Sequence, residues 1–173
     1  MGFRAFLGKR RLEKNVVSYW RSKGAKIGEN CEIYPTVSLG SEPYLITIGD
    51  HVRINSNVNL ITHDGGVWVI RSQYEKYRNV DLFGRIAIGN NVHIGNNVII
   101  MPNVKIGNNC IIGCGAIVTK DIPDNSVAVG IPAKIIEDIE EYLKKNEKSF
   151  IYTKGMSKNE KRKFLENRYF KNN

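Results

Sequence analysis

The chain carries three histidines, His51, His63 and His93, and three cysteines, Cys31, Cys110 and Cys114. Proton transfer, metal binding and nucleophilic attack would start from these side chains. An imidazole with its unperturbed pKa near about 6.5 can take and return a proton near neutral pH. His63 stands in Leu60-Ile61-Thr62-His63-Asp64-Gly65-Gly66, where an otherwise regular pattern breaks off. His51 follows Gly49-Asp50 and reads as a solvated turn residue. The cysteines are odd in number and lack zinc-ligand spacing, so they read as reduced small fillers.

The regular pattern defines the elements that must position these groups. Apolar residues recur every six positions: Ile27, Ile33 and Leu39; then Ile48, Ile54 and Leu60; then Ile88, Ile94, Ile100, Ile106, Ile112 and Val118. Gly follows many of them directly, and Asn fills the steps between, as in Asn90-Asn91, Asn96-Asn97 and Asn108-Asn109. A period of six fits neither a helix nor a simple alternating strand. It fits short strands joined by tight turns, with the aliphatic residue inward and Gly or Asn accepting positive φ. Such coils bury their apolar faces only by stacking, so the fold class is an all-β solenoid.

Two interruptions stand out. Three extra residues separate Leu39 from Ile48, around Ser41-Glu42-Pro43-Tyr44-Leu45. A longer excursion, about residues 64–84, carries Trp68, Arg71, Tyr74, Tyr77 and Phe83. A loop of that length inside a repeat is uncommon and usually functional. Its aromatic faces could stack on a ligand and Arg71 could meet an acidic group; the plainer reading is packing on a neighbouring coil or subunit.

The net charge of +9 sits at the ends. Residues 1–26 hold eight Lys/Arg and one acid, residues 144–173 ten and three, leaving eight bases and thirteen acids between. The division read from this is a basic N-terminal helix (1–26), a solenoid domain (27–134) and a helical tail (135–173). The tail reads as helix from just after Pro132 to about Lys145, with a second helix opened by a capping box of Ser157 and Glu160. The acidic middle disfavours nucleic-acid binding. Peripheral contact with a membrane leaflet is the sharper expectation for the basic ends, solvated helical faces the plainer one. Without an apolar span or an export signal, a cytoplasmic setting is expected, at most peripheral to the inner face of the membrane.

The run "IGNNVHIGNNVIIMPNVKIGNNCIIGCGAIVTKDIPDNSVAVGIPAK" resembles the hexapeptide-repeat acyltransferases, in the sugar O-acetyltransferase branch that includes maltose, galactoside and capsule-modifying enzymes. The resemblance covers about residues 27–137. It implies a left-handed parallel β-helix, a homotrimer with sites at subunit interfaces, and acetyl-CoA as co-substrate without a metal. It implies donor contacts at Asn96 after "HIG", at Cys114 in "IGCGA", at Thr119-Lys120, and at Lys134 of "GIPAK". His93 falls where relatives often carry Trp, and so reads as a packing or turn residue near the cofactor. Zinc-binding relatives of this fold place two ligands five residues apart, whereas the gaps here are twelve and thirty, so no metal site is expected.

On this resemblance His63 is the general base, taking the proton of a sugar hydroxyl as it attacks the thioester. Glu42 and Asp64 are both candidates to orient its far ring nitrogen. Glu42, Asp64, Trp68 and Arg71 are the expected acceptor contacts. The acceptor is a sugar or polysaccharide precursor. N-acetylation of an amino sugar or antibiotic is the alternative, and a non-enzymatic solenoid binding module a distant third.

Overall fold

The computed structural model describes residues 16–170. The repeat folds into short strands that visit three sheets in turn. One sheet holds β1 (Lys26–Ile27), β3 (Ile46–Ile48), β6 (Ile86–Ile88) and β9 (Lys105–Ile106). The second holds β2 (Glu32–Ile33), β4 (Arg53–Ile54), β7 (His93–Ile94), β10 (Ile111–Ile112), β12 (Ser126–Val129) and β13 (Lys134–Asp138). The third holds β5 (Asn59–Leu60), β8 (Ile99–Ile100) and β11 (Ile117–Val118). Among these strands every pairing is parallel except β12 with β13.

Register follows the arithmetic of the repeat. Ile88 pairs with Ile106, Ile94 with Ile112 and Ile100 with Val118, one coil of eighteen residues apart. Across the Ser41–Leu45 insertion the separation becomes 21, and across the excursion it becomes 40. All twelve aliphatics of the six-residue series are buried. Each contributes about 1.5–3 kcal/mol of hydrophobic stabilisation, and together they form one continuous core along the coil axis.

The residues beside them explain the rest of the pattern. A Cβ placed on Gly89 would lie 2.7 Å from the carbonyl carbon of Gly107 and 2.8 Å from Asn108 Oδ1, so the coils stack too closely there for any side chain. Asn30, Asn91, Asn109 and Asn125 sit at φ of 57°, 55°, 54° and 59°, and His51 joins their column at 55°. The column is linked by side chains: His51 Nδ1 lies 2.8 Å from Asn91 Oδ1, Asn91 donates to Asn109 at 2.9 Å, and Asn109 to Asn125 at 2.9 Å. At the same corner the amides of Asp50, Asn90 and Asn108 donate to the Asn90, Asn108 and Asp124 side chains at 2.7–2.8 Å. Turn residues thus continue between coils the hydrogen bonding that the two-residue strands cannot complete.

The start of the coil is covered by α1 (16–22), which buries Val17 and packs Val16 and Trp20 against the core. Arg21 donates to the carbonyls of Ile27 and Gly28 at 3.0 and 2.7 Å, tying α1 to the first coil. The rest of the basic helix expected over residues 1–26 lies outside the described residues. At the other end, residues 134–138 are not the first turn of a helix but the antiparallel strand β13. The open edge of β12 supplies backbone partners to a segment with β-branched Ile135 and Ile136, and this outweighs its helical spacing. Asp138 then starts α3 (Ile139–Asn146) with a reciprocal capping box to Glu141. A second helix, α4 (Lys158–Phe170), is opened by Ser157 and Glu160, each accepting from the other's backbone amide at 3.3 and 2.8 Å.

Candidate active site

The two interruptions of the repeat meet in space. Pro43 is buried and starts a short 3₁₀ turn, Pro43–Leu45, with Glu42 at its N-cap. Glu42 Oε2 lies 3.1 Å from His63 Nδ1 and accepts from the Thr62 hydroxyl at 2.8 Å. Thr62 is fully buried, the Glu42 side chain is 15% exposed, and that of His63 is 47% exposed. Hydrogen bonds from the Ser41 hydroxyl and from Thr62, then from His63, hold the Glu42 carboxyl below the ordinary carboxylate range. It is therefore an anion at neutral pH, and one face of the imidazole remains open to solvent.

Asp64 does something else. Its carboxylate accepts from the Gly66 amide at 2.7 Å, closing the turn that leads into α2 (Val67–Gln73). Between the two candidates for orienting His63, the contact is made by Glu42.

The excursion leaves and returns through a narrow stem. Asp64 N donates to Leu82 O and Gly84 N to Thr62 O, both at 2.8 Å, with His63 and Phe83 forming an antiparallel bridge between them. The Phe83 ring meets the His63 ring edge-on, 6.4 Å between centroids. Arg71 ties the two arms together, donating to Val80 O at 2.6 Å and pairing with Asp81. Its guanidinium is thus engaged within the excursion. The outer residues of α2 are exposed, Trp68 at 75%.

These elements enclose a cleft of about 310 Å³ lined by Glu42, His63, Asp64, Trp68, Arg71 and Phe83, among others. All the residues expected to meet the acceptor therefore converge on one cavity beside the histidine. Thr62, Ser41 and Asp81 were not singled out in the sequence, although the first two are direct neighbours of His63 and Glu42.

The expected donor residues lie elsewhere on the chain. Asn96 and Cys114 stack one coil apart at the corner leading into the third sheet, where the Gly115 amide donates to Asn96 O at 2.8 Å. Thr119 and Lys120 follow β11 at the corner leaving that sheet, and Lys134 starts β13 opposite Val129. Asn96, Cys114, Thr119, Lys120 and Lys134 are all exposed, and none lines the His63 cleft.

The remaining histidines and cysteines stay apart from it. His51 is held in the asparagine column. His93 is half-buried in β7, and burial, then the Arg53 charge, pushes its pKa down. Cys110 fills the core, and burial pushes its thiol pKa up. Cys114, expected as a filler, is instead exposed, because it sits at a turn rather than inside the coil. Among the described residues no group of three or more His, Cys, Asp or Glu is arranged to hold a metal ion.

Comparisons with known proteins agree with this architecture. The family described as bacterial transferase hexapeptide (six repeats) matches residues 85–120. The chain is 47% identical over 170 residues to protein CapG of Staphylococcus aureus, covering 94% of this chain and 95% of the relative. It is 39% identical over 135 residues to galactoside O-acetyltransferase of Escherichia coli K12, covering 66% of this chain and 64% of that protein. A solved galactoside acetyltransferase in complex with coenzyme A superposes with a TM-score of 0.59 at 34% identity, covering 82% of this chain and 76% of that one. The chain belongs to the hexapeptide-repeat acyltransferases, in their sugar O-acetyltransferase branch. It is an acyltransferase.

Proposed function

We propose that the protein transfers the acetyl group of acetyl-CoA to a hydroxyl of a sugar or a cell-surface polysaccharide precursor, with His63 as general base. The observation that carries this reading is the Glu42–His63 pair at the mouth of an aromatic-walled cleft. An ionised Glu42 can only accept, so His63 Nδ1 donates to it and Nε2 is left with its lone pair toward the cleft. Nε2 takes the hydroxyl proton as the oxygen attacks the thioester carbonyl. The C–S bond then breaks, and the imidazolium returns the proton to the departing thiolate. The sugar ring lies against Trp68 and Phe83, with Asp64 and Glu42 at its polar edge.

Asn96, Cys114, Thr119, Lys120 and Lys134 hold the donor, the lysines acting as point charges on its phosphates. Their absence from the His63 cleft favours a site completed by a second copy, in a homotrimer whose coils are left-handed. Among the described residues no helix is long and apolar enough to cross a membrane. A cytoplasmic protein whose basic ends rest on an anionic leaflet fits the segregation of charge.

The test is incubation with acetyl-CoA and panels of sugars and amines, following thiol release and mass gain of the acceptor. Thiol release driven by sugars supports the reading. Release driven by amines alone redirects it to N-acetylation, and failure to bind acetyl-CoA by calorimetry removes it.

A further inference from the structure

We infer that Thr62 is a positioning residue for the reaction, setting through Glu42 the orientation and tautomer of His63; this rests on His63 being the base. Thr62 and His63 are adjacent in sequence, yet their side chains converge on the same carboxylate oxygen, Glu42 Oε2, at 2.8 and 3.1 Å. The two differ in freedom. His63 is half-exposed, whereas Thr62 is fully buried, and its carbonyl is locked by the Gly84 amide at 2.8 Å. A buried hydroxyl needs a partner, and Glu42 is the acceptor it finds.

The direction of donation follows from the partners. The Thr62 hydroxyl donates to Oε2 and so favours the ionised carboxylate, whose oxygen can then only accept from the imidazole. His63 must then carry its proton on Nδ1, freeing Nε2 for the acceptor hydroxyl. Thr62 also fixes where Oε2 lies, because its own position is set by the coil. The other charged groups around the cleft are committed: Asp64 to the Gly66 amide, and Asp81 and Arg71 to each other. The Ser41 hydroxyl also donates to this carboxyl but is exposed, so of the two donors the buried Thr62 is the one whose position the coil fixes.

The test uses the full chain with Thr62→Val, which keeps the shape and removes the donor, and Thr62→Ser, which restores it. Thr62→Val is expected to lower kcat about tenfold, the scale of one lost hydrogen bond to a charged group, with KM for the acceptor unchanged. With one donor fewer, the carboxylate binds a proton more readily and leans harder on the imidazolium, so the acidic limb of the pH–rate profile moves to higher pH. Thr62→Ser returns both quantities toward wild type. Wild-type kcat and pH profile in Thr62→Val, or a loss that Ser does not rescue, would overturn the proposal.

If Thr62→Val fails to fold, nitrogen NMR of the His63 ring, assigned with His63→Ala, is compared in wild type, Thr62→Ala and Thr62→Ser. A smaller share of protons on Nδ1 in Thr62→Ala that Ser restores supports the proposal, and a wild-type ring signature in Thr62→Ala overturns it. Normal turnover in His63→Ala would instead sink the assignment of the base, and the ring signature would still report on Thr62 and Glu42.

Discussion

His63 Nδ1 lies 3.1 Å from Glu42 Oε2, although twenty-one residues separate them and each belongs to a different interruption of the repeat. The three-residue insertion supplies the carboxylate, and the coil edge where the excursion leaves supplies the imidazole. Neither interruption alone gives an imidazole with one ring nitrogen held by a carboxylate.

Replacing His63 by Ala is expected to lower turnover by at least about a hundredfold, the scale of removing a general base. The side chain is half-exposed, so thermal unfolding should be nearly unchanged. Thiol release from acetyl-CoA at saturating acceptor measures the first, and a melting curve the second.

Glu42→Gln keeps the shape and removes the charge, and turnover should fall at least about tenfold, since an amide no longer favours the productive imidazole tautomer as an anion does. The same variant tests stability. The Glu42 carboxyl is held down in the folded state, chiefly by hydrogen bonds from Ser41 and Thr62. Its contribution is therefore full above the ordinary carboxylate value near 4.5 and is lost as pH falls through the folded value. Melting temperatures between about pH 5 and pH 3 should drop more steeply in the wild type than in Glu42→Gln.

His93 has the same sign in a different window. Burial and then Arg53 disfavour its protonation in the fold, so stability declines as pH falls below the ordinary histidine value near 6.5 toward the depressed one. In His93→Gln, denaturant midpoints should be flatter across that window.

Gly89→Ala would force a methyl to within 2.7–2.8 Å of the next coil and should cost about 1–3 kcal/mol, the range for overpacking. Gly65→Ala, where nothing lies within 4 Å, should be near neutral. Asn109→Ala should cost more than Asn109→Gly, because only the former adds the penalty of about 1–2 kcal/mol for a left-handed residue with a Cβ. Urea unfolding separates these four variants.

Trp68→Ala should raise the acceptor KM about threefold to tenfold, as expected of a lost aromatic stack, and leave kcat and melting temperature close to wild type. Trp68 is 75% exposed, and α2 has no buried residue to lose. Steady-state kinetics at fixed acetyl-CoA would show the split.

The stacked six-residue repeat was legible because its signal is redundant. Inward Ile, close-packed Gly and left-handed Asn each mark the same eighteen-residue register, and the insertion lengths reappear as pair separations of 21 and 40. The convergence of Glu42, Asp64, Trp68 and Arg71 followed from that register and the position of the excursion. What each residue does was harder to read. Glu42 and Asp64 have the same chemistry, and nothing in their types says that Glu42, at the start of the Pro43 turn, meets His63 while Asp64 closes a local turn. Arg71 looked free for an acidic ligand, but Asp81 and Val80 O, close by in the returning arm, engage it. Residues 134–138 have helical spacing, and nothing local announces that the edge of β12 is vacant to pair with them.

The stem joining Thr62 to Gly84 has a further consequence. The excursion adds residues between β5 and β6, yet Leu60 and Ile88 still occupy their places in the coil, paired with Ile100 and with Ile48. A lineage or an engineer could therefore exchange that segment like an interchangeable cartridge, refitting one wall of the cleft while the rest of the coil keeps its register.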